Sequence, residues 1–486
     1  MRIVLICPPL MDYNNGVLIP IAMDAHRECP PYGIYLLASI LRQAGHDVTI
    51  IDLIAQGNLS LDPYLYPLSS CQLVGIGTST LSWPTARDCI TNVRKYRPDV
   101  PIVLGGIHAT MFDKYVLATT TANYVVRGEG EIALPTLCRI LEHGGNLQDV
   151  PNLTMKLTNG TIIRNPIANL IPSEYFKSFP VPDYSQLTMG VYNGLALESS
   201  RGCPFDCSFC STSYRKSWRA IEASEYVDRM QTILPHLNRT RGGFIHIVDD
   251  EFSIKHERAT DICREIDRRH LNGNLVFDSR ANDLLNEDYV ATIAPHTIQF
   301  LVGCECGYDE GLQKVGKGTT TARIEGAAAV LRKFGLSKKA DFSFILGLPW
   351  ETKDDALKTV HFACNLYAKY GVRVLLQWYC QIPGSRLWDE QRKKGVVHEA
   401  QYDDYGFFRN LYLFRTGVSL TPDEIYEISE KILSINTLSR LMNAEGNAMV
   451  EYGHPEPLKK DFPKLSEIYN EGQGLASLRE VAKVSI

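Results

Sequence analysis

Residues Arg201–Cys210 read R-G-C-P-F-D-C-S-F-C and follow an apolar, strand-like run over residues 194–198. They place Cys203, Cys207 and Cys210 at the spacing C-x3-C-x2-C, so a loop that curls back brings three thiols into one site. Thiolates are the soft ligands that select zinc or iron–sulfur chemistry. A structural zinc site needs a fourth protein ligand, and no Cys or His occurs in the twenty residues after Cys210. Against the alternative of three unrelated buried cysteines, we predict an iron–sulfur cluster with one iron left open for substrate or cofactor.

The composition is that of a globular protein with large cores. The chain has 486 residues, enough for about three domains, and its 45% hydrophobic and 22% charged residues are ordinary. The net charge of −5 gives no reason to expect nucleic acid or an anionic membrane as partner. No apolar run approaches the roughly 20 residues that span a bilayer, and because the first short strand is followed by Pro8-Pro9 we do not expect these residues to act as a signal peptide. Thirteen cysteines without regular spacing outside the loop fit a reducing compartment, so we expect a cytoplasmic protein.

Short apolar runs alternate with helical patterns over the first 145 residues. Strands are predicted at 3–7, 48–53, 73–77, 102–104 and 124–126, and helices at 31–44, 84–96 and 131–143. Strands that are apolar on both faces and alternate with helices predict a doubly wound parallel sheet. Such sheets bind ligands outside the carboxyl ends of their strands.

Glycine and short polar residues follow three of these strands, at Gly75–Thr80, Gly105–His108 and Arg127–Glu131. Glycine lets a ligand approach the backbone closely. No G-x-G-x-x-G motif opens a helix after the first strand, so a dinucleotide is poorly supported. The three segments are either ordinary tight turns or one ligand site along the edge of the sheet.

Four segments resemble the cobalamin-binding domain of cobalamin-dependent radical S-adenosylmethionine (SAM) enzymes: Pro8-Pro9, Pro30–Gly33, Gly105–His108 and Gly128–Glu131. The resemblance implies cobalamin contacts from Pro9, Thr78, Ser79, Thr80, Leu81, Trp83, Gly105, Gly106, His108, Gly128, Glu129 and Gly130. The D-x-H-x-x-G motif that supplies a histidine ligand is missing, since Asp24-Ala25-His26 continues without the glycine. The resemblance therefore implies a corrin whose lower face has no histidine. By position, the loop Thr80–Trp83 would lie under the corrin, although Trp83 could equally be a core aromatic at a helix start.

A hairpin signature with Asn159-Gly160 at its turn and a proline-rich linker over 166–182 follow this region. Strands are then predicted at 194–198, 244–248, 275–278, 298–302, 342–346 and 374–379. With helices between them, they predict a partial (βα)6 barrel whose sites lie at the carboxyl ends of the strands. From about Arg386 the rhythm stops, and a mainly helical domain is expected. The predicted domains are 1–145, 146–190, 191–385 and 386–486.

The barrel region resembles the radical SAM family across its whole length. Besides the cysteines, the resemblance implies SAM contacts from Phe209, Asp249, Asp250, Glu251, Ser279, Arg280, Glu305, Ile345, Gly347 and Pro349. Asp249–Glu251 resemble the acidic segment that holds the methionine ammonium. Ser279-Arg280 resemble the fourth-position segment, near the methionine carboxylate or the ribose. The segment Ile345–Pro349 resembles the turn beneath the adenine.

Three features keep an alternative interpretation. The acidic trio Asp249–Glu251 would also suit a solvated helix N-terminus, where carboxylates complement the helix dipole. Cys304 and Cys306 flank Glu305 and point to one side of a strand, where packing is the alternative to a cluster or catalytic role. The aromatic stretch 402–414 either lines a substrate cavity or packs within a cap domain.

The resemblance implies three cofactors: a [4Fe–4S] cluster, SAM and cobalamin, the last facing the barrel mouth. The open iron would hold SAM, and one electron from an external flavodoxin- or ferredoxin-type reductant would yield a 5′-deoxyadenosyl radical. We expect C-methylation of an unactivated carbon in a small metabolite or natural-product precursor. The alternatives are cyclisation, ring rearrangement or oxidation with the same cofactors, a non-catalytic corrinoid and iron–sulfur carrier or sensor, and a vestigial first domain without cobalamin.

Overall fold

The computed structural model describes residues 1–14, 17–20, 28–212, 214–405, 419–421, 423–425, 427–429 and 431–432. His26, residues 406–414 of the aromatic stretch and most of the predicted C-terminal domain lie outside the described residues. The packing of the backbone divides the chain into two compact units. The first contains Met1–Leu197, Asp228–Gly243 and Glu399–Tyr405, and the second contains Glu198–Val227 and Phe244–His398. In the described part of the chain, no helix has both the length and the apolar character needed to cross a bilayer.

The first unit is built on a seven-stranded sheet. Its strands, with a small separate hairpin, are β1 (Arg2–Cys7), β2 (Met11–Asn14), β3 (Val17–Pro20), β4 (Asp47–Asp52), β5 (Leu73–Gly77), β6 (Ile102–Gly105), β7 (Tyr124–Val126), β8 (Leu153–Lys156) and β9 (Ile162–Arg164). Its helices are α1 (Tyr32–Gln43), α2 (Leu53–Gln56), α3 (Leu65–Ser70), α4 (Trp83–Tyr96), α5 (Ile107–Met111), α6 (Asp113–Thr119) and α7 (Ala133–His143). The sheet order is β4-β1-β5-β6-β7-β8-β9.

The five strands predicted in the first 145 residues pair in parallel, as expected, and the predicted hairpin makes the complete sheet a mixed one. Strands β4 to β7 pair in parallel, but β8 and β9 add to the edge of the sheet in antiparallel register. The predicted hairpin joins the sheet because Leu153 and Met155 are buried in the same core as the parallel strands. The five parallel strands have the flavodoxin-like order, which reverses between β1 and β5. That switch point is where doubly wound sheets hold their ligands.

Buried apolar side chains explain why β1 and β5 lie in the middle of this sheet. Every residue of β1 after Arg2 is buried, as expected for a strand covered on both faces. Gly75 allows the two strands to pack, because a Cβ atom there would lie 2.6 Å from Cδ2 of Leu5. The glycine at this point therefore has a packing role.

A six-stranded sheet forms the core of the barrel region, in the order β10-β13-β14-β15-β16-β17. The strands of this region are β10 (Gly194–Leu197), β11 (Ser200–Arg201), β12 (Arg219–Ala220), β13 (Phe244–Ile247), β14 (Leu275–Arg280), β15 (Thr297–Glu305), β16 (Ala340–Leu346) and β17 (Arg373–Trp378). The helices are α8 (Ala223–Ile233), α9 (His256–Arg268), α10 (Glu287–Ile293), α11 (Asp309–Val315), α12 (Thr321–Lys333), α13 (Lys353–Tyr370) and α14 (Arg386–Lys393). Strands β13 to β17 pair in parallel, so their carboxyl ends share one edge.

Candidate cofactor sites

The cysteine loop is held by backbone contacts on several sides. Strand β11, which leads into it, pairs antiparallel with β12, and Cys203 forms a bridge to Arg215. Gly202 has φ +85°, and a Cβ atom there would lie 2.4 Å from the carbonyl oxygen of Ser217. Only glycine fits this close approach of two backbones. The sequence R-G-C therefore fixes the start of the loop as well as its first ligand.

The thiols of the loop are partly or fully withdrawn from solvent. Cys207 is buried, and Cys203 and Cys210 are half-buried. Desolvation raises the pKa of Cys203 to about 11, so a metal centre must displace protons to bind here. In the described residues, no three His, Cys, Asp or Glu side chains converge on a single ion. An iron–sulfur cluster takes each thiolate at a different iron.

Two N–H donors lie close to sulfur atoms of the loop. The backbone N–H of Thr212 lies 3.5 Å from Sγ of Cys210, and Nη1 of Arg280 lies 3.8 Å from Sγ of Cys207. Hydrogen bonds and positive charge near sulfur stabilise the deprotonated ligand. The donor set thus fits three-cysteine ligation of an iron–sulfur cluster.

Asp249 lies at the end of β13, where the sequence predicted a contact with the methionine ammonium. Its buried carboxylate accepts hydrogen bonds from the N–H and Oγ groups of both Ser199 and Ser200. These donors belong to the segment that enters the cysteine loop. The structure therefore gives Asp249 a positioning role for the cysteine loop, and its predicted contact with the methionine ammonium stays a prediction.

Asp250 and Glu251 lie beside the cysteine loop as well. Asp250 accepts hydrogen bonds from N–H of Gly202, at 2.9 Å, and from Oγ1 of Thr212, at 2.7 Å. Glu251 is buried and accepts from Ser253, and desolvation raises its pKa to about 8. A buried carboxyl with a raised pKa gains most from a bound cation, since the cation favours its ionised form.

Ser279 and Arg280 end β14, which is the third strand of the sheet rather than the fourth. Oγ of Ser279 lies 3.0 Å from Oγ of Ser253, which links it to the hydrogen-bond group of Glu251. The guanidinium carbon of Arg280 lies 3.7 Å from the centre of the Phe205 ring, and Arg280 also donates to the carbonyl of Lys317. Arg280 thus connects the strand end to the cysteine loop.

Glu305 forms a buried ion pair that the sequence did not reveal. Its Oε1 lies 2.7 Å from Nζ of Lys317, and Glu305 has φ +68° where β15 changes register against β16. Cys304 and Cys306 on either side are fully buried, which favours their packing role. Lys317 lies in the turn Gly316–Gly318, and only the spacing of a lysine between two glycines could have drawn attention to it.

The turn after β16 is organised by Glu351. Its Oε2 accepts hydrogen bonds from N–H of Gly347, at 2.6 Å, and of Leu348, at 3.1 Å, and its Oε1 accepts from Tyr308. Gly347 has φ +78°, a conformation that glycine adopts without strain. Ile345, Pro349 and, in the cysteine loop, Phe209 are half-buried, so part of each remains available to a ligand.

At the sheet edge that was predicted to bind cobalamin, several residues are accessible to solvent. Ser79, Leu81, Gly106 and Gly128 are exposed after β5, β6 and β7, and Gly105 and Gly130 are half-buried. A Cβ atom at Gly128 would meet nothing within 4 Å, whereas one at Gly106 would lie 2.3 Å from the carbonyl oxygen of Thr78. Bare backbone along a sheet edge fits a large flat ligand that approaches closely. Gly106 has in addition a structural reason to be glycine.

Two other residues that were predicted to contact cobalamin pack inside the first unit. Trp83 and His108 are fully buried and stack with ring centres 4.6 Å apart, so the core alternative for Trp83 is favoured. Desolvation lowers the pKa of His108 to about 3, and neither ring nitrogen has a hydrogen-bond partner among the described residues. The predicted contacts of these two side chains with cobalamin stay predictions.

The remaining members of that set are also buried. Oγ1 of Thr78 donates to Gly105 and accepts from N–H of Ala109, and Glu129 accepts from N–H of Ile171 in the linker. Thr80 and Pro9 are buried. These residues shape the strand ends, and their predicted contacts with cobalamin stay predictions.

Asp403 is a further residue that sequence patterns missed. It accepts hydrogen bonds from Nε1 of Trp83 and from the hydroxyl of Tyr115, both at 2.6 Å, and pairs with Arg87 at 3.0 Å. The neighbouring Tyr402 is fully buried and packs on His108 and Phe112. The described start of the aromatic stretch therefore has a packing role in the first unit.

Comparisons with known proteins match two regions of the chain to known families. Residues 20–138 match the B12 binding domain and residues 197–363 match the radical SAM superfamily. An uncharacterized methyltransferase of Pyrococcus horikoshii is 30% identical over 402 residues, which cover 80% of this chain and 83% of the relative. The chain belongs to the cobalamin-dependent radical SAM enzymes. Its cofactors are accordingly a [4Fe–4S] cluster, SAM and cobalamin.

Two further relatives show the range of the family. The anaerobic magnesium-protoporphyrin IX monomethyl ester cyclase of Rubrivivax gelatinosus is 25% identical over 380 residues, covering 75% of this chain and 65% of the cyclase. The solved structure of the radical SAM methyltransferase TsrM from Kitasatospora setae has a TM-score of 0.62 at 20% identity, covering 82% of this chain and 77% of TsrM. The likeness to TsrM shows that the fold is shared.

Proposed function

We propose that this enzyme transfers a methyl group to an unactivated carbon of a small metabolite or natural-product precursor. The observation that carries the proposal is the set of side chains that meet at one edge of the barrel sheet. There, the loop of Cys203, Cys207 and Cys210 lies against Asp250, through Gly202 and Thr212, and against Arg280. A soft ligand set, carboxylates and a guanidinium together suit a cluster that holds an amino acid through its ammonium and carboxylate groups.

The side chains of this edge divide the work of holding SAM. When bound, the [4Fe–4S] cluster supplies the electron and the open iron that SAM cleavage needs. Asp250 and Glu251 accept hydrogen bonds from the ammonium, and Arg280 pairs with the methionine carboxylate. Glu351 shapes the turn Gly347–Pro349 under the adenine.

Cobalamin, when bound, carries the methyl group. The exposed Ser79, Leu81, Gly106 and Gly128, with the half-buried Gly105 and Gly130, are the residues that would hold it. Their backbone groups accept a close flat ligand because five of the strand-end positions lack a bulky side chain. In this proposal residues 1–145 bind cobalamin, 191–385 bind the cluster and SAM, and 386–486 shape the substrate cavity. The setting is a reducing cytoplasm with a flavodoxin- or ferredoxin-type electron donor.

Product mass tests this function. The reconstituted enzyme is supplied with a candidate substrate, SAM and a chemical reductant, and a product heavier by one methylene unit is expected. When the methyl group of SAM carries three deuterium atoms, the product should contain all three of them. Cys207→Ala should abolish turnover, whereas Cys364→Ala, a half-buried cysteine on α13, should retain it. A product with an unchanged carbon count would refute methyl transfer.

A second candidate function is supported by the likeness to the cyclase, because that relative covers most of the chain. In that case the same cofactors would carry out cyclisation, rearrangement or oxidation, and the product would keep the carbon count of the substrate. The same mass measurement separates the two functions.

A further inference from the structure

The outer face of the cysteine loop carries an exposed aromatic ring. Phe205 lies between the first two cysteines, and 38% of it is exposed. Arg280 covers one face of the ring at 3.7 Å and reaches to 3.8 Å from Sγ of Cys207. An exposed aromatic that touches a group next to a cluster ligand offers a short path between the surface and the site.

Three cations surround the neighbouring Asp206. Nζ of Lys216 lies 3.0 Å from its carboxylate, Nη1 of Arg215 lies at 3.6 Å and Nε of Arg386 lies at 3.7 Å. One carboxylate cannot neutralise three cations, so this surface is positive. Lys216 is the most exposed of them, with 70% of its side chain accessible.

Separate segments bring these cations to the cysteine loop. The loop Tyr214–Ser217 packs against Gly202. Helix α14 begins with Arg386, whose guanidinium donates to the carbonyl of Asp206 at 2.8 Å. Helix α11 ends where the carbonyl of Val315 accepts from N–H of Ser208. The exposed Lys314 precedes that contact by one residue and adds a further positive charge. The arrangement is fixed by the fold of the loop.

Lys216 is held in a left-handed conformation, with φ +60°. A side chain other than glycine or asparagine is uncommon there and costs free energy. Such strain at an exposed charged residue next to a cofactor loop is consistent with a functional position.

We propose that this basic surface, formed by Arg215, Lys216, Lys314 and Arg386 around Phe205, docks the acidic redox protein that reduces the cluster. The proposal rests on the proposed function, because only a working cluster needs an electron. In the docked complex the carrier protein is oxidised by one electron and the cluster is reduced by one electron, with no bond formed or broken. Nucleic acid is a poorer fit, since the chain as a whole has a net charge of −5.

Binding of flavodoxin to the fully reconstituted enzyme tests the surface. The double variant Lys216→Asn/Lys314→Gln removes two charges, and asparagine tolerates the left-handed backbone at position 216. We expect its Kd for flavodoxin at low salt to be about tenfold weaker than that of the parent, with a flatter salt dependence. The matched control is Lys338→Gln, an exposed lysine in the turn Ser337–Lys339 that precedes β16, and it should bind like the parent.

A chemical reductant separates this proposal from the proposed function. With titanium(III) citrate, the parent and the double variant should form equal amounts of 5′-deoxyadenosine. Absence of that product from the parent would refute the proposed function instead. If the parent cleaves SAM but the double variant binds flavodoxin as tightly as the parent, the docking surface is wrong. Tighter binding of a DNA oligonucleotide than of flavodoxin would also overturn it.

Discussion

Nζ of Lys317 lies 2.7 Å from Oε1 of Glu305, and both side chains are buried at the end of β15. Burial disfavours the charged form of Lys317, but the attraction of Glu305 prevails and the pKa of Lys317 is raised. Glu305 itself has φ +68°, a strained conformation for this residue type. The ion pair and the strained backbone lie together at the end of β15. Arg280 donates a hydrogen bond to the carbonyl of Lys317 and so connects this strand end to the cysteine loop.

Removal of one member of this pair should be costly. Lys317→Met leaves the carboxylate of Glu305 buried and unpaired, and we expect the free energy of unfolding to fall by about 3 kcal/mol. In the double variant Lys317→Met/Glu305→Gln no buried charge is left, so the loss should be smaller than the sum of the single losses. Chemical denaturation of the four proteins measures the coupling, and strictly additive losses would contradict it.

Asp249 should matter more for the cysteine loop than for SAM. Asp249→Asn puts an N–H2 group against donors from Ser199 and Ser200, and loss of a charge-assisted network costs about 2 kcal/mol. We expect lower stability and lower iron content after reconstitution. The matched change Asp250→Asn should instead weaken SAM binding with a smaller loss of iron. The assignment fails if the two variants have the same iron content and the same SAM affinity.

Asp403 should anchor the segment Glu399–Tyr405 in the first unit. Asp403→Asn weakens the hydrogen bonds from Trp83 and Tyr115 and the ion pair with Arg87, and we expect a loss of about 2 kcal/mol in unfolding free energy. The fluorescence of Trp83 should change as well, because its indole N–H loses a charged acceptor. Asp404→Asn, at the exposed next position, is the control. Unchanged stability of the Asp403→Asn variant would mean that other contacts hold the segment, such as the packing of Tyr402 and the hydrogen bond from Tyr405 to Asp88.

The turn after β16 should respond to pH. Burial raises the pKa of Glu351 to about 7, above its unfolded value of about 4.3. A raised carboxyl pKa means that the native state binds more protons, so its contribution to stability is full below about pH 4.3 and is lost as pH rises towards 7. Glu351→Gln removes this titration and should flatten the decline between these pH values by up to about 3 kcal/mol. If the free energy of unfolding changed with pH in the same way for both proteins, the assignment would be contradicted.

The sequence predicts the features of the fold and of the site that are determined locally along the chain. The cysteine spacing, the alternation of strands and helices and the polar strand ends are each set by neighbouring residues. Both sheets and the cofactor class were therefore predictable. The mixed edge of the first sheet was not, because the burial of Leu153 and Met155 depends on partners far along the chain.

The candidate site residues also divide into those that local sequence patterns predict and those whose role depends on packing. The sequence gives no sign that Asp249 is saturated by two serines, that Trp83 and His108 stack inside a core, or that Lys317 pairs with Glu305. Each of these facts depends on which side chain meets which after folding. Resemblance of motifs locates the end of a strand, but only packing decides which of its side chains remain available to a ligand.

This chain binds an iron–sulfur cluster and cobalamin together. Anaerobic reconstitution with iron, sulfide and hydroxocobalamin, followed by gel filtration, metal analysis and ultraviolet–visible spectroscopy, tests it directly. We predict one [4Fe–4S] cluster and one corrin per chain, with the cluster absent and the corrin retained in a Cys203→Ala/Cys207→Ala/Cys210→Ala variant. Co-elution of iron without corrin, or retention of the cluster by the triple variant, would contradict the claim.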